Sequence, residues 1–247
     1  MPDNTRKVAV VTGASSGIGK ATARALARDG LNVALLARRV DKIDSLAEEL
    51  SGDGVTAIAI EADVTDRDSL AQAASRVKDE LGAADVLVNN AGQMLLAPFS
   101  SEQAEETRRM IETNLVGAMT ATDVFLDQLR ACGGGDPVNI SSVAGRTASP
   151  GGSVYSATKW GLNGWSEALR QELQPDIRVI VIEPGAIATE LTDHITHEES
   201  KQGAKQMYED VDAIAPEEVA DVIAFAVGRP IHVALNEILI RPTAQPK

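Results

Sequence analysis

Tyr155 and Lys159 stand four residues apart in VYSATKW, and Ser142 stands thirteen residues before Tyr155 in NISSVAG. On a helix, positions i and i+4 share a face, so the phenol and the ammonium point into one site. A free phenol ionises near about pH 10, too high for acid–base work at neutrality. A cation beside it favours the phenolate and lowers that value. The spacing therefore predicts a tuned proton donor and acceptor with Ser142 as a nearby hydroxyl, the equipment for moving a proton on and off an alcohol oxygen. A Tyr-x3-Lys pair alone also describes a partly buried tyrosine beside a snorkelling lysine, so the rest of the chain must decide.

The N-terminal stretch KVAVVTGASSGIGKATARALARDG reads as strand, glycine-rich turn and helix. Val8 to Val11 is an apolar, β-branched run suited to a buried parallel strand. Gly13, Gly17 and Gly19 are spaced G-x3-G-x-G, which is not the G-x-G-x-x-G fingerprint. The context still predicts phosphate binding, because glycines admit close backbone approach and a helix N-terminus presents free N–H groups. A second strand, Asn32 to Leu36, ends near Ala37. An acidic residue here would read the ribose 2′-hydroxyl of NAD, but the chain has Ala37-Arg38-Arg39. Without a carboxylate to repel a 2′-phosphate, Arg38 can pair with it through two parallel N–H donors. That predicts NADP(H); the alternative is that Arg38 and Arg39 merely open the next helix in solvent.

TGASSGIG at 12–19, Asp63-Val64, Asn89-Asn90-Ala91-Gly92, Asn114, Ser142, Tyr155-x3-Lys159 and Pro184-Gly185 occur in this order. Together they resemble the short-chain dehydrogenase/reductase family over nearly the whole chain. The resemblance implies a Rossmann-like domain that binds NAD(P)(H) and interconverts carbonyls and alcohols. It implies Tyr155 as general acid in reduction, with Lys159 holding the nicotinamide ribose and depressing the tyrosine pKa. Ser142 would hydrogen-bond the substrate oxygen and Asn114 would anchor a water in the proton relay. Cofactor contacts are implied for Gly13, Ser15, Ser16, Gly17, Ile18 and Gly19 of the turn, and for Arg38 and Arg39. Asp63 and Val64 would meet the adenine, and Asn90, with Ala91 and Gly92, the adenosine-side ribose. Pro184, Gly185, Ile187 and Thr189 would face the nicotinamide end. The C-terminal stretches TELTDHITHEESKQ, MYED and HVALNEILIRPTAQ are similar to a subgroup of NADP-dependent 3-hydroxy-acid (serine-type) dehydrogenases and clavulanate-aldehyde reductase. That implies a small polar aldehyde or ketone as substrate, one that can carry a carboxylate.

Among 247 residues, 23 Lys and Arg face 36 Asp and Glu, a formal net charge of −13. Such a balance argues against nucleic-acid or anionic-membrane partners, and it sharpens the need for local cations wherever an anionic cofactor docks. Aromatic residues make up 3%, so Ala, Val, Leu and Ile must fill the interior. The lone Cys132 excludes an internal disulfide and a multi-cysteine metal site and reads as structural. With no apolar leader and no stretch of spanning length, a cytoplasmic protein is expected.

Further strand candidates are Ala57–Ile60, Val86–Asn89, Val138–Ser141, Arg178–Ile182 and Glu237–Ile240. Helical patterns at Asp41–Leu50, Arg67–Leu81, Glu102–Arg130, Val154–Leu173 and Pro216–Val227 separate them. This alternation predicts one α/β domain over 1–247, a doubly wound Rossmann-like fold with a seven-stranded parallel sheet and helices on both faces. The motifs fall at the carboxyl ends of the strands, where such sheets bind ligands. Substrate choice is expected in the loops Gln93–Phe99 and Val143–Ser153 and in a mobile lid at about 186–207. Arg146 could clamp a carboxylate, or serve the fold alone. His194 and His197 could meet an acidic substrate, or be polar surface. Trp160 and Trp165 flank the catalytic helix and could pack in the core or at the interface of a homo-oligomer, which the resemblance implies is a dimer or tetramer. Two function classes stay open: an NADP(H)-dependent carbonyl reductase, with a ketoreductase for carrier-bound 3-oxoacyl chains as its rival, and a non-catalytic NADP sensor.

Overall fold

The computed structural model describes residues 6–52, 54–99 and 103–246. Seven apolar runs form strands β1 (Val8–Thr12), β2 (Asn32–Ala37), β3 (Ala57–Glu61), β4 (Val86–Asn89), β5 (Asp136–Ile140), β6 (Ile180–Pro184) and β7 (Glu237–Ile240). They pair in parallel in the order β3-β2-β1-β4-β5-β6-β7, the doubly wound sheet that the alternation predicts. Strands β1, β2, β4, β5 and β6 are buried along their whole length, which is why β1 and β2 read as continuous rather than alternating apolar runs.

The helices are α1 (Gly17–Arg28), α2 (Val40–Leu50), α3 (Arg67–Glu80), α4 (Ala104–Ile111), α5 (Gly117–Ala131), α6 (Ser153–Leu173), α7 (Glu198–Asp210) and α8 (Pro216–Val227). One core layer packs α1, α2 and α8 against the sheet through Leu26, Ile43, Leu46 and Ile223. The other packs α3, α5 and α6 through Leu70, Val77, Phe125, Leu129 and Leu173. Phe125 is the one aromatic among the largest fully buried side chains. Alanines such as Ala21, Ala23 and Ala25 on α1 let the helix lie close to the strands.

Of the boundaries that depart from expectation, those of the long helix, β5 and β6 bear most on the core and the site. The long helix expected from Glu102 has its first residue outside the described ones, and the rest is not one α-helix. A π-helical turn, Glu112–Val116, separates α4 from α5 and carries Asn114. Its 3.6-residue pattern hides the single extra residue that a π turn inserts. Strand β5 opens at Asp136 and not Val138, while β6 opens at Ile180 and not Arg178. The two polar residues form a buried bidentate ion pair, Arg178 Nε to Asp136 Oδ1 at 2.7 Å and Nη2 to Oδ2 at 2.6 Å. Trp160 is 54% exposed and Trp165 is half-buried, so neither belongs to the core. No helix among the described residues is long and apolar enough to cross a membrane.

The crossover from β1 runs outward to β2, and the chain returns past β3 to β4 on the other side of β1. The connections part between β1 and β4, and a crevice opens there beyond the carboxyl ends of the strands.

Candidate active site

The turn after β1 forms the floor of that crevice. Gly13 and Gly17 take positive φ, +66° and +53°. A Cβ on Gly13 would stand 2.9 Å from Ala91 Cα, and one on Gly19 within 2.5 Å of the Gly13 carbonyl oxygen, so the fold requires glycine at both. Thr12 and Asn90 stitch this turn to the end of β4. The Asn90 Nδ2 donates to the carbonyls of Thr12 (3.0 Å) and Gly13 (3.2 Å), and Thr12 Oγ1 accepts from the backbone N–H of Asn90 and Ala91. The side-chain amide of Asn90 is thus turned to the loop, while the residue still lines the crevice. Ser16 caps α1 without a side-chain bond, leaving the first-turn N–H groups to face an anion.

Two guanidiniums close the far side. Arg39 lies against the turn, its Nε donating to Ser15 Oγ (3.1 Å) and its Nη2 to Ser15 Oγ (2.9 Å) and Ser16 Oγ (2.8 Å). Arg38 is more exposed, 3.8 Å from Asp63, whose carboxylate accepts from the Thr65 N–H and hydroxyl. Glycine cradle, open helix terminus and paired arginines at the end of β2 together fit a dinucleotide bearing an extra phosphate.

The proton-handling group sits at the other end of a cavity of about 1040 Å³. Tyr155 and Lys159 share one face of α6 and are buried. Ser142 caps the short 3₁₀ turn Val143–Gly145, accepting from the Ala144 N–H at 3.1 Å. Burial pushes the Tyr155 phenol above its ordinary value, and the nearby Ser142 hydroxyl pulls the other way. This corrects the expectation that Lys159 depresses it. The Lys159 Nζ donates to the Ile140 carbonyl at 2.7 Å and lies 5.8 Å from the centre of the phenol ring, so loss of water outweighs the cation. The same burial brings Lys159 down to about 8.

That depression makes a pH prediction. Unfolded, Lys159 keeps its proton to about pH 10.5; folded, it sheds it near 8. Between those values the unfolded chain binds more protons, so this group's contribution to stability rises with pH. In Lys159→Met that contribution is absent. Thermal unfolding of both proteins from pH 7 to 10 checks this as a difference curve, expected to climb for the unmodified chain relative to the variant.

Of the expected site residues, Gly19 and Asn114 do not line the cavity; the others do. Gly19 lies behind the turn. Asn114 is buried one layer back, its Oδ1 accepting from the Gln93 N–H (2.7 Å) and its Nδ2 donating to the Gln93 carbonyl (2.8 Å) and to Thr158 Oγ1 (3.3 Å). It positions the loop after β4. Ser142, Tyr155 and Lys159 meet there with Pro184, Gly185, Ile187 and Thr189 from the end of β6.

Arg146 is no substrate clamp. Its Nε donates to both oxygens of Glu183, which is 0% exposed, and its Nη2 pairs with Glu237. It ties β6 to β7. His197 caps α7, its Nδ1 accepting from the Ser200 N–H. His194 lines the crevice from the end of a second 3₁₀ turn, Glu190–His194. The segment expected to form a lid holds this turn and α7, which runs to Asp210.

Two lining residues were not read from the sequence. Tyr208 on α7 faces Tyr155; burial and the proximity of Tyr155 hold its phenol above the usual range. An aromatic in MYED of so aromatic-poor a chain was the available signal. Arg109 on α4 donates to Gln93 Oε1 (3.0 Å), and Gln93 Nε2 in turn donates to Thr113 Oγ1 (3.0 Å). Among the described residues Arg109 makes no ion pair, and nothing in its local pattern marks it.

Comparison with known proteins agrees with this geometry. A family model described as short chain dehydrogenase matches residues 7–200. An uncharacterized oxidoreductase of Listeria monocytogenes is 38% identical over 243 residues, 97% of this chain and 98% of that protein. An alcohol dehydrogenase from the archaeon Thermococcus sibiricus, solved with 5-hydroxy-NADP, superposes with a TM-score of 0.88 at 32% identity, over 98% of this chain and 99% of that one. The closed form of a serine dehydrogenase complexed with NADP+ gives 0.89 at 30%, over 97% and 96%.

Proposed function

The chain belongs to the short chain dehydrogenase family and is an NADP-dependent oxidoreductase, and from that premise we propose that it interconverts a small polar aldehyde or ketone carrying a carboxylate with the matching alcohol. The observation that carries the substrate reading is Arg109. The cavity's lining carboxylates, Asp63 and Glu190, face Arg38 and Arg39, while Arg109, which makes no ion pair among the described residues, donates to Gln93 on the cavity wall. In a chain of net charge −13, a lone guanidinium there is a receptor for a substrate anion. The serine dehydrogenase among the similar structures supports a 3-hydroxy acid as the alcohol. The subgroup of serine-type dehydrogenases and clavulanate-aldehyde reductase fits the same substrate shape.

In the direction of reduction, Tyr155 is the general acid. It is buried beside Ser142 at the catalytic end of the cavity, where its hydroxyl can protonate the substrate oxygen. Ser142 donates a hydrogen bond to that oxygen as negative charge develops on it. The bound cofactor supplies the hydride. Lys159 fixes its ribose, and Asn114 orders the loop that shapes the pocket and lies on the proton route. Arg38, Arg39 and the turn Gly13–Gly19 hold the phosphates. The lid from Ala186 excludes water while the charge is transferred. We place the enzyme in the cytoplasm as a homo-oligomer assembled around α5 and α6, where Val116 and Trp160 are exposed.

Cofactor oxidation by the purified protein tests the substrate reading. The panel pairs small carboxylate-bearing aldehydes and keto acids with their methyl esters, and adds acyl thioesters. The acids are expected to turn over best. Arg109→Ala is expected to raise their KM by about tenfold to a hundredfold, the value of a charge-assisted contact, with the esters unaffected. Preference for the thioesters, or an equal loss on acid and ester, would overturn it.

A further inference from the structure

The lid and the phosphate subsite touch through one carboxylate. Glu190, first residue of the lid's 3₁₀ turn, accepts from Arg39 Nη1 at 3.3 Å through Oε2, and its Oε1 lies 3.6 Å from Lys42 Nζ. Arg39 is the same guanidinium whose Nε and Nη2 donate to Ser15 and Ser16 on the glycine-rich turn. Those two cations hold Glu190 below the usual carboxylate range. Next to it, the Thr189 methyl stands where a Cβ on Gly17 would meet it at 3.1 Å, so the lid's first residues rest over the phosphate-binding turn.

We propose that Glu190 is a cofactor-specificity residue: its carboxylate competes with the 2′-phosphate of NADP(H) for Arg39 and Lys42, and arrival of the phosphate releases the first turn of the lid. The argument is one of charge and donor number. A guanidinium has five N–H donors. The serines hold Nε and Nη2, and Glu190 takes Nη1, so a phosphate arriving at this guanidinium must share it with Glu190 or displace it. Phosphate and carboxylate on one guanidinium repel, so Glu190 either moves or weakens the phosphate. NADH, with a 2′-hydroxyl, meets no such repulsion. Arg39, Lys42 and Glu190 are 40%, 42% and 49% exposed, so the effect is screened and modest. Discrimination between the cofactors is then adjustable at a residue outside the glycine-rich turn, and the 2′-phosphate acts on the lid that covers the substrate.

The test is equilibrium titration of NADPH and NADH into the intact protein, Glu190→Gln and Asp193→Asn. Asp193 belongs to the same 3₁₀ turn but pairs with Lys205 at 2.6 Å, so it controls for net charge. Glu190→Gln is expected to lower the NADPH Kd by about fivefold, the scale of an exposed charge pair, with the NADH Kd unchanged and the difference shrinking as salt is raised. Without cofactor, amide exchange over residues 190–197 is expected to speed up in Glu190→Gln only. An NADPH Kd that rises, stays put or moves in step with that of NADH overturns the proposal, as does an equal effect from Asp193→Asn. Failure of the cofactor assignment itself is distinguishable: the unmodified protein would then bind NADH as tightly as NADPH.

Discussion

Tyr155→Phe is expected to lower kcat for carbonyl reduction by about a thousandfold, within the range of a lost general acid, and to leave NADPH binding intact. The phenyl ring keeps the packing of Tyr155 against Met94, Leu95, Met110 and Tyr208, so the change falls on the hydroxyl alone. Loss of the hydroxyl leaves the backbone and this packing in place, so thermal unfolding should shift by no more than about 1 kcal/mol. Turnover, NADPH titration and melting measured together separate the two roles of the residue. A variant with near-normal kcat would remove Tyr155 from the chemistry, whatever its position.

The largest stability effect is expected at Arg178, which is 5% exposed and far from the crevice at the amino end of β6. Besides its pair with Asp136, it donates to the carbonyls of Val227, Arg229, Pro230 and Val233. One guanidinium thus ties the start of β5 to the end of α8 and to the segment leading to β7. Arg178→Met leaves Asp136 buried without its partner and should cost about 3–5 kcal/mol, or a fall in Tm of about 10 °C for a chain of this size. The double change Asp136→Leu with Arg178→Met should recover much of that, because no uncompensated charge remains. Chemical unfolding of the unmodified protein and the two variants reads this directly. A loss below about 1 kcal/mol in the single variant would show that water reaches the pair.

The legible parts of this molecule are those with a local cause. VAVV, NVALL and RVIVI read as buried parallel strands because β1, β2 and β6 are covered on both faces. Glycine spacing and the Tyr-x3-Lys pair are likewise local, and the crevice collects both. The misreadings share a different cause, pairing over long chain separations. The strand read from Val138 misses Asp136, whose partner lies 42 residues on. Arg146 stays open between substrate clamp and fold in the sequence because Glu183 and Glu237 lie 37 and 91 residues away. Glu190 meets Arg39 across 151 residues, and no pattern in either segment announces it. The pKa of Tyr155 failed for a related reason. Spacing places Lys159 on the same face, but spacing says nothing of how much water the fold removes or of the Ile140 carbonyl that the ammonium chooses.

Hydride transfer is the central claim, and labelled cofactor tests it most directly. NADPH deuterated at the transferring carbon is incubated with a carboxylate-bearing aldehyde and the purified protein, and the alcohol is analysed by mass spectrometry and NMR. A single deuterium on the carbinol carbon is predicted, formed with NADPH in clear preference to NADH and lost in Tyr155→Phe. NADPH that binds tightly yet passes no label to any substrate of the panel would contradict the account and leave a sensor on the same fold.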